Sequence, residues 1–455
     1  MTARTATTLD TSEAFALSLD RADPLASARS LFHIPPAVAA HDPAAAAHAS
    51  ADAPRAVYLT GNSLGLQPKS VRAALEQELA DWASMGVEGH LHAKHPWLPY
   101  HEELREGAAH IAGASPREVV VMNSLTVNLH ILLTAFYRPQ GKRVQIMIED
   151  SCFPSDSHAV ISQTRLHGLD PSTALIRLKP RAGEHTLRTS DILETIHTNR
   201  DTLALVMLGG VNYLSGQWFD MPRINAAAQN AGAIAGWDLA HAAGNVPLKL
   251  HEWGADFACW CSYKYLNSGP GAIAGAFVHE RHLARSDLLH FAGWWGNDPK
   301  TRFRMGPEFV PVHSADRFQL SNPPIFSMTP VRESLAIFQR FTLPALREKS
   351  LKLTAYLRSL IEANNTAKGR EAVQIITPVD DESHGCQLSL IVKPKNSVGD
   401  EASEPAVRAA HQSLAKQGMI VDFRSPNVIR AAPVPLYNTF HDAWRFAQAL
   451  SAAVG

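Results

Sequence analysis

Cysteine is scarce: Cys152, Cys259, Cys261 and Cys386 are the only four in 455 residues. None forms a CxxC pair, so a disulfide scaffold is excluded and reduced, buried thiols in a cytosol are expected. Charge of one sign is also lacking. Lys and Arg number 42 against 43 Asp and Glu, a net charge of −1, so no basic field attracts nucleic acid. Long apolar runs are absent too. The uncharged stretch at 119–137 carries Asn123, Ser124, Thr126, Asn128 and His130, which lipid would penalise, so it reads as a strand and a helix rather than a membrane span. The N-terminus is polar with early acids and no apolar h-region, so no secretory signal is expected. No HExxH occurs. The glycines at 269, 271 and 275 have the wrong spacing for GxGxxG, which argues against a nucleotide-binding protein.

Histidine runs the other way, with 22 residues. His90, His92, His95 and His101 crowd together without regular ligand spacing on one helix face, so no metal site is expected. Hydrophobic residues at 45% and charged residues at 19% allow a sizeable core.

Residues 37–56 hold 11 alanines among 20 with no amphipathic stripe, and read as a surface insertion or loosely ordered linker. Ahead of them, residues 9–31 read as helical. From about 70 to 290, apolar runs alternate with helical periodicity, which predicts a mostly parallel sheet covered on both faces. Ligands of such sheets sit beyond the carboxyl ends of the strands. Asp150, Gly209, Asp238 and the residues after Ser262 are therefore expected to face one crevice. Past Pro330 short strands and helices predict an α+β lobe, and residues 393–405 an exposed loop. The expected organisation is an N-terminal helix and Ala-rich segment at 1–57, a large domain at 58–330 and a small domain at 331–455.

The segment 256–280, DFACWCSYKYLNSGPGAIAGAFVHE, brings a strand to Lys264 before a glycine-rich turn. A second strand ends on Asp238. Alone, Asp238 reads as a helix cap and Lys264 as a surface lysine. Together, a strand-end acid and a strand-end lysine are what pyridoxal phosphate (PLP) needs: an amine to condense with its aldehyde and a carboxylate to keep its ring nitrogen protonated. Its phosphate needs hydroxyl and N–H donors at a helix start, which Leu125 and Thr126 offer. Its ring needs an aromatic face, which Phe153 offers.

The same segment closely resembles kynureninase. So do GNSLGLQPK at 61–69, MNSLTVNLH at 122–130, FPSD at 153–156, GWDLAHAAGNVPL at 236–248, GWWG at 293–296, SNPP at 321–324 and APVPLYNTFHD at 432–442. The resemblance spans roughly 58–450. It implies an α/β fold-type-I PLP enzyme, with a large domain built on a mostly parallel sheet and a small α+β C-terminal domain. It also implies a cytoplasmic homodimer that hydrolyses L-kynurenine or its 3-hydroxy form. Lys264 would bond the cofactor and move the α-proton. Asp238 would pair with the ring nitrogen, and Asp156 would sit near the cofactor hydroxyl. His241 would support Asp238 or the phosphate, Phe153 would stack on the ring, and Leu125, Thr126 and Tyr263 would hold the phosphate, with Tyr263 also a proton donor. Trp294 and Asn322 would come from the neighbouring subunit. Gly209 stands where the family commonly has Ser or Thr, leaving a backbone N–H as donor. Arg430 would bind the substrate carboxylate, Ser63, His90 and Asn322 would surround the aryl ring, and His90 with Ser321-Asn322 resembles the form of this pocket that accepts the 3-hydroxyl. Another fold-type-I enzyme, such as a cysteine desulfurase, remains an alternative, with Cys386 a weak candidate for its thiol.

Overall fold

The computed structural model describes residues 10–393 and 404–455. Most of the loop expected at 393–405 lies outside the described residues. The chain divides into two compact units: residues 64–343 with 378–385, and residues 1–63 with 344–377 and 386–455.

The larger unit is organised by a seven-stranded sheet. In chain order its strands are β1 (Val119–Val121), β2 (Gln145–Glu149), β3 (Leu175–Leu178), β4 (Leu203–Gly209), β5 (Ile234–Asp238), β6 (Phe257–Trp260) and β7 (Gly275–Val278). Their order across the sheet is β1-β7-β6-β5-β4-β2-β3. All pairings are parallel except those of β7, which runs antiparallel to both neighbours. β4 to β7 are nearly continuous apolar runs because both faces are covered. The uncharged 119–137 stretch resolves into β1 and the helix α1 (Leu125–Phe136), which buries Leu129, Leu132 and Leu133. The helix α2 (Pro154–Leu166) follows β2. The helix α3 (Ile325–Arg340) runs through Pro330, so the expected change of pattern there falls inside a helix.

The smaller unit holds a four-stranded antiparallel sheet, with β8 (Val373–Ile375), β9 (Leu388–Val392), β10 (Asp422–Arg424) and β11 (Val428–Ala431) in the order β10-β11-β9-β8. The N-terminal residues read as a continuous helix form Glu13–Arg21 and a 3-10 turn at Ala26–Leu31. Helix Glu13–Arg21 joins the core of this unit. The Asp20 carboxylate accepts from Phe440 and His441 N–H at 2.6 and 3.2 Å, placing an anion at the N-terminus of helix Phe440–Val454. Of the two readings of the Ala-rich 37–56 segment, the surface insertion fits, because its ends are closed onto each other. Ala37 N–H donates to Pro54 C=O and Ala56 N–H to Pro35 C=O, at 2.7 and 2.9 Å.

Candidate active site

Five strand ends and two helix starts build the site. β1 leaves the sheet through Asn123, whose φ of 51° is left-handed and turns the chain directly into α1. The first amides of α1 have no acceptor within the helix and form an anion-ready end. Leu125 and Thr126 occupy that end, and Thr126 Oγ1 lies 2.9 Å from Ser155 Oγ at the start of α2. Phe153, immediately before α2, is about 41% exposed.

Lys264 follows β6 in a tight turn, with Asn267 N–H donating to Lys264 C=O at 2.9 Å. Gly65 passes beneath this turn, its N–H donating to Tyr263 C=O at 2.8 Å. A Cβ at Gly65 would run into the backbone of Lys264 and Asn267, so only glycine allows this approach. Lys264 Nζ lies 3.1 Å from His241 Nε2 and 5.7 Å from the centroid of the Phe153 ring. Tyr213 packs edge-on against Phe153 at 5.3 Å. His241 thus faces the lysine amine.

Acids gather on the other side. β4 and β5 pair with Gly209 opposite Asp238, and one Asp238 oxygen accepts Ala240 N–H at 2.7 Å. Burial pushes the Asp238 carboxyl up, against the opposing pull of hydrogen bonds from Ala240 and Asp156 and the charge of Lys264. Asp156, on α2, is pushed well up by burial and by the charge of Asp238, to which it gives a hydrogen bond. Its Oδ1 is buried with no hydrogen-bond partner. The expectation that Asp150 faces this crevice is corrected: Asp150 is exposed and Glu149, the last residue of β2, is buried instead. Successive side chains of a strand point to opposite faces, so a one-residue error reverses the direction. Glu149 accepts Gly209 N–H at 3.4 Å, and burial pushes its carboxyl up to about 7. Tyr263 is half-buried, and burial pushes its hydroxyl up, so it stays protonated.

The residues fit a planar cationic ring carrying a phosphate. Carboxyl groups crowd in a buried place, an Asp156 oxygen there lacks a donor, a phenyl face lies near an amine, and the helix start offers N–H groups.

Residues 346–450 match the family model described as "Kynureninase C-terminal domain". A kynureninase of Salinispora tropica is 52% identical over 96% of this chain and 96% of its own length. One from Myxococcus xanthus is 50% identical over 96% of each. The chain belongs to the kynureninase family. Among solved structures, a cysteine desulfurase from Thermococcus onnurineus shares the fold, with a TM-score of 0.70 at 18% identity, covering 88% of this chain and 94% of that one. C-DES with glycine covalently linked to its PLP cofactor aligns with a TM-score of 0.70 at 16% identity, covering 87% and 96%. The fold is therefore that of fold-type-I PLP enzymes.

Kynureninase membership and the cysteines agree. A desulfurase needs an accessible thiolate, whereas all four cysteines here are buried, and burial pushes the Cys152 thiol up to about 12. Three residues expected at a kynureninase site lie elsewhere in the larger unit. His90, Trp294 and Asn322 line a cavity of about 380 Å³ together with Trp97 and Phe303. Trp294 is exposed there and its neighbour Trp295 is buried. Arg430 and Ser63 belong to the smaller unit. Arg430, on β11, is fully buried and ion-paired with Asp422, while Ser63 is exposed in a turn closed onto Thr60. Sequence reading missed Tyr213 and Glu149. A strand-ending acid was the available signal for Glu149, and none marked Tyr213. Among the described residues, the one group of His and acid side chains close enough to hold a metal ion is Glu118, His251 and His279. Glu118 is already engaged there, accepting from Ser115 N–H, Glu280 N–H and His251 Nδ1 at 2.8–2.9 Å.

Proposed function

We propose that this chain is a PLP-dependent hydrolase that cleaves the Cβ–Cγ bond of L-kynurenine or 3-hydroxy-L-kynurenine. The products are anthranilate or 3-hydroxyanthranilate and L-alanine. The observation that carries this reading is Lys264 set between His241 and Phe153, opposite the buried pair Asp238 and Asp156. Bound PLP supplies an electron sink for negative charge developing on the substrate.

The chain's own residues do the rest. Asp238 takes the proton-bearing ring nitrogen, and Asp156 donates to Asp238 and keeps it aimed. Phe153 covers the ring face. The α1 start and Thr126 hold the phosphate, joined by the Tyr263 hydroxyl, while the Gly209 N–H expected there is taken by Glu149. Lys264 Nζ moves the α-proton, and His241, 3.1 Å away, orients that amine. Tyr263 keeps its proton across the working pH range and serves as donor to the alanine fragment. Arg430 takes the substrate carboxylate, a task suited to a planar fork of donors.

Two copies share their sites in this reading. The cavity lined by His90, Trp294 and Asn322 opens among exposed apolar groups, with Leu91 and Phe303 at 59% and 57% exposure, a surface suited to a second subunit. Trp294 and Asn322 then serve the partner's cofactor, and His90, Asn322 and Ser63 serve the aryl ring. No described helix is long and apolar enough to cross a membrane. Four buried thiols outside any disulfide fit a reducing cytoplasm.

The test is an assay of both kynurenines with and without added PLP. Lys264→Ala should abolish turnover, and full activity in that variant would overturn the assignment. His90 with Asn322 predicts efficient use of 3-hydroxykynurenine. A strong preference of kcat/KM for the unhydroxylated substrate would sink that part.

A further inference from the structure

The proposed chemistry uses Asp238 and Asp156, yet a third carboxyl is buried in the same cluster. Glu149 ends β2 with about 2% of its surface exposed. Its Oε2 accepts Gly209 N–H, and its Oε1 is buried with no hydrogen-bond partner. Gly209 is also the residue paired with Asp238 across β4 and β5, and the next residue, Gly210, donates its N–H to Asp238 C=O at 2.8 Å. One strand end therefore bridges the two acids. A strand-end glutamate at full burial costs stability unless something at the site repays it.

We propose that Glu149 is a positioning residue for the cofactor, which acts through Asp238 to set how firmly the ring nitrogen of bound PLP holds its proton and so how tightly PLP binds. The proposal rests on the PLP reading above. The groups around Glu149 are Asp238 on β5, Asp156 on α2, Cys152 in the turn after β2, and the neutral donors Gly209 and Asn212. Lys264 is the cation facing the two aspartates. Asp156 keeps its proton and donates a hydrogen bond to Asp238, so with Glu149 neutral the cluster holds one negative charge. Ionised Glu149 adds a second behind Asp238. That charge raises the proton affinity of a ring nitrogen in contact with Asp238, and the ring cation in turn favours ionised Glu149. PLP binding and loss of the Glu149 proton are therefore linked, and each strengthens the other. Burial places the Glu149 transition near neutrality, at about 7, where this linkage operates.

The experiment titrates PLP into cofactor-free protein, wild type against Glu149→Gln, from about pH 6 to about pH 8.5, and reads Kd from absorbance and tryptophan fluorescence. Wild type should gain affinity by roughly tenfold more than the variant over that range, one pKa unit of coupling. Gly209→Ser provides a second test that leaves Glu149 in place. A Cβ at Gly209 meets its nearest atoms at 3.5–3.7 Å, two of them the Glu149 oxygens, so the side chain fits and its hydroxyl can donate to the carboxylate. That bond favours the charged form and should move the affinity transition to lower pH. Parallel Kd profiles for wild type and Glu149→Gln, or an unmoved transition in Gly209→Ser, overturn the proposal alone. Wild-type protein that takes up no PLP at any pH overturns it together with the PLP reading.

Discussion

At the residue scale the site is a problem of crowded acids. Glu149, Asp156 and Asp238 all hold their protons more tightly when buried than a solvated carboxyl does. The sign of the consequence is set by that direction. The folded, cofactor-free chain binds these protons better than the unfolded chain does, so the stability they lend is complete in acid and lost as pH rises. For Glu149 the loss runs from its ordinary value of 4.5 to about 7. Relative to Glu149→Gln, the melting temperature of the cofactor-free wild type should therefore fall across that window. A wild-type melting temperature that climbs relative to that of Glu149→Gln from mild acid to neutrality would contradict this. Lys264, Asp238 and Phe153 were legible in the sequence because their chemistry follows from their place at strand and helix ends. Glu149 was misread by one position, since an acid pair at a strand end does not say which member points inward. Tyr213 was not legible at all, because it reaches Phe153 across 60 residues of chain and only through the fold.

At the element scale the turn carrying Lys264 depends on a segment nearly 200 residues earlier. Gly65 →Ala would press a methyl group into the Lys264 and Asn267 backbone, which cannot give way as a side-chain end can. Overpacking of this kind costs about 1–3 kcal/mol. The variant should melt several degrees lower and retain less PLP, as read by visible absorbance. Unchanged cofactor content and melting temperature would show that the turn does not depend on this approach. Most elements were readable from pattern alone. β4 and β5 are apolar runs closed by glycine or aspartate, and helix Met221–Asn230 buries Met221, Ile224, Asn225 and Ala228 at helical spacing. Pro330, where the sequence pattern changes, lies inside α3 rather than at its end.

At the scale of the whole molecule, residues 1–63 share a compact unit with the C-terminal segment. Asp20 capping helix Phe440–Val454 and Arg29 paired with Asp442 at 2.6 Å tie the ends of the chain together. Neither contact leaves a trace in local sequence. The proposed dimer belongs to this scale as well. Mixing Lys264→Ala with Asn322→Ala, each inactive alone, should restore activity, because a hybrid dimer would contain one site with both groups intact. Mixtures as inactive as their components, with subunit exchange verified by mass, would place Asn322 in its own subunit's site.

The sequence by itself marked the parts the structure brings together: a strand-end lysine, a strand-end aspartate, a helix start and an aromatic side chain. It did so because local periodicity fixes where strands end, and parallel strands place their ends together. Only the tertiary structure decided which acid of the Glu149-Asp150 pair is buried, that His241 faces the Lys264 amine, and that His90, Trp294 and Asn322 gather in a cavity of their own. These depend on side-chain direction and on contacts between distant segments, which no local pattern encodes. The four scarce cysteines mark the same division. Their count excluded a disulfide scaffold, but their burial, which raises the Cys152 thiol and argues against sulfur chemistry, was settled by the packing around them.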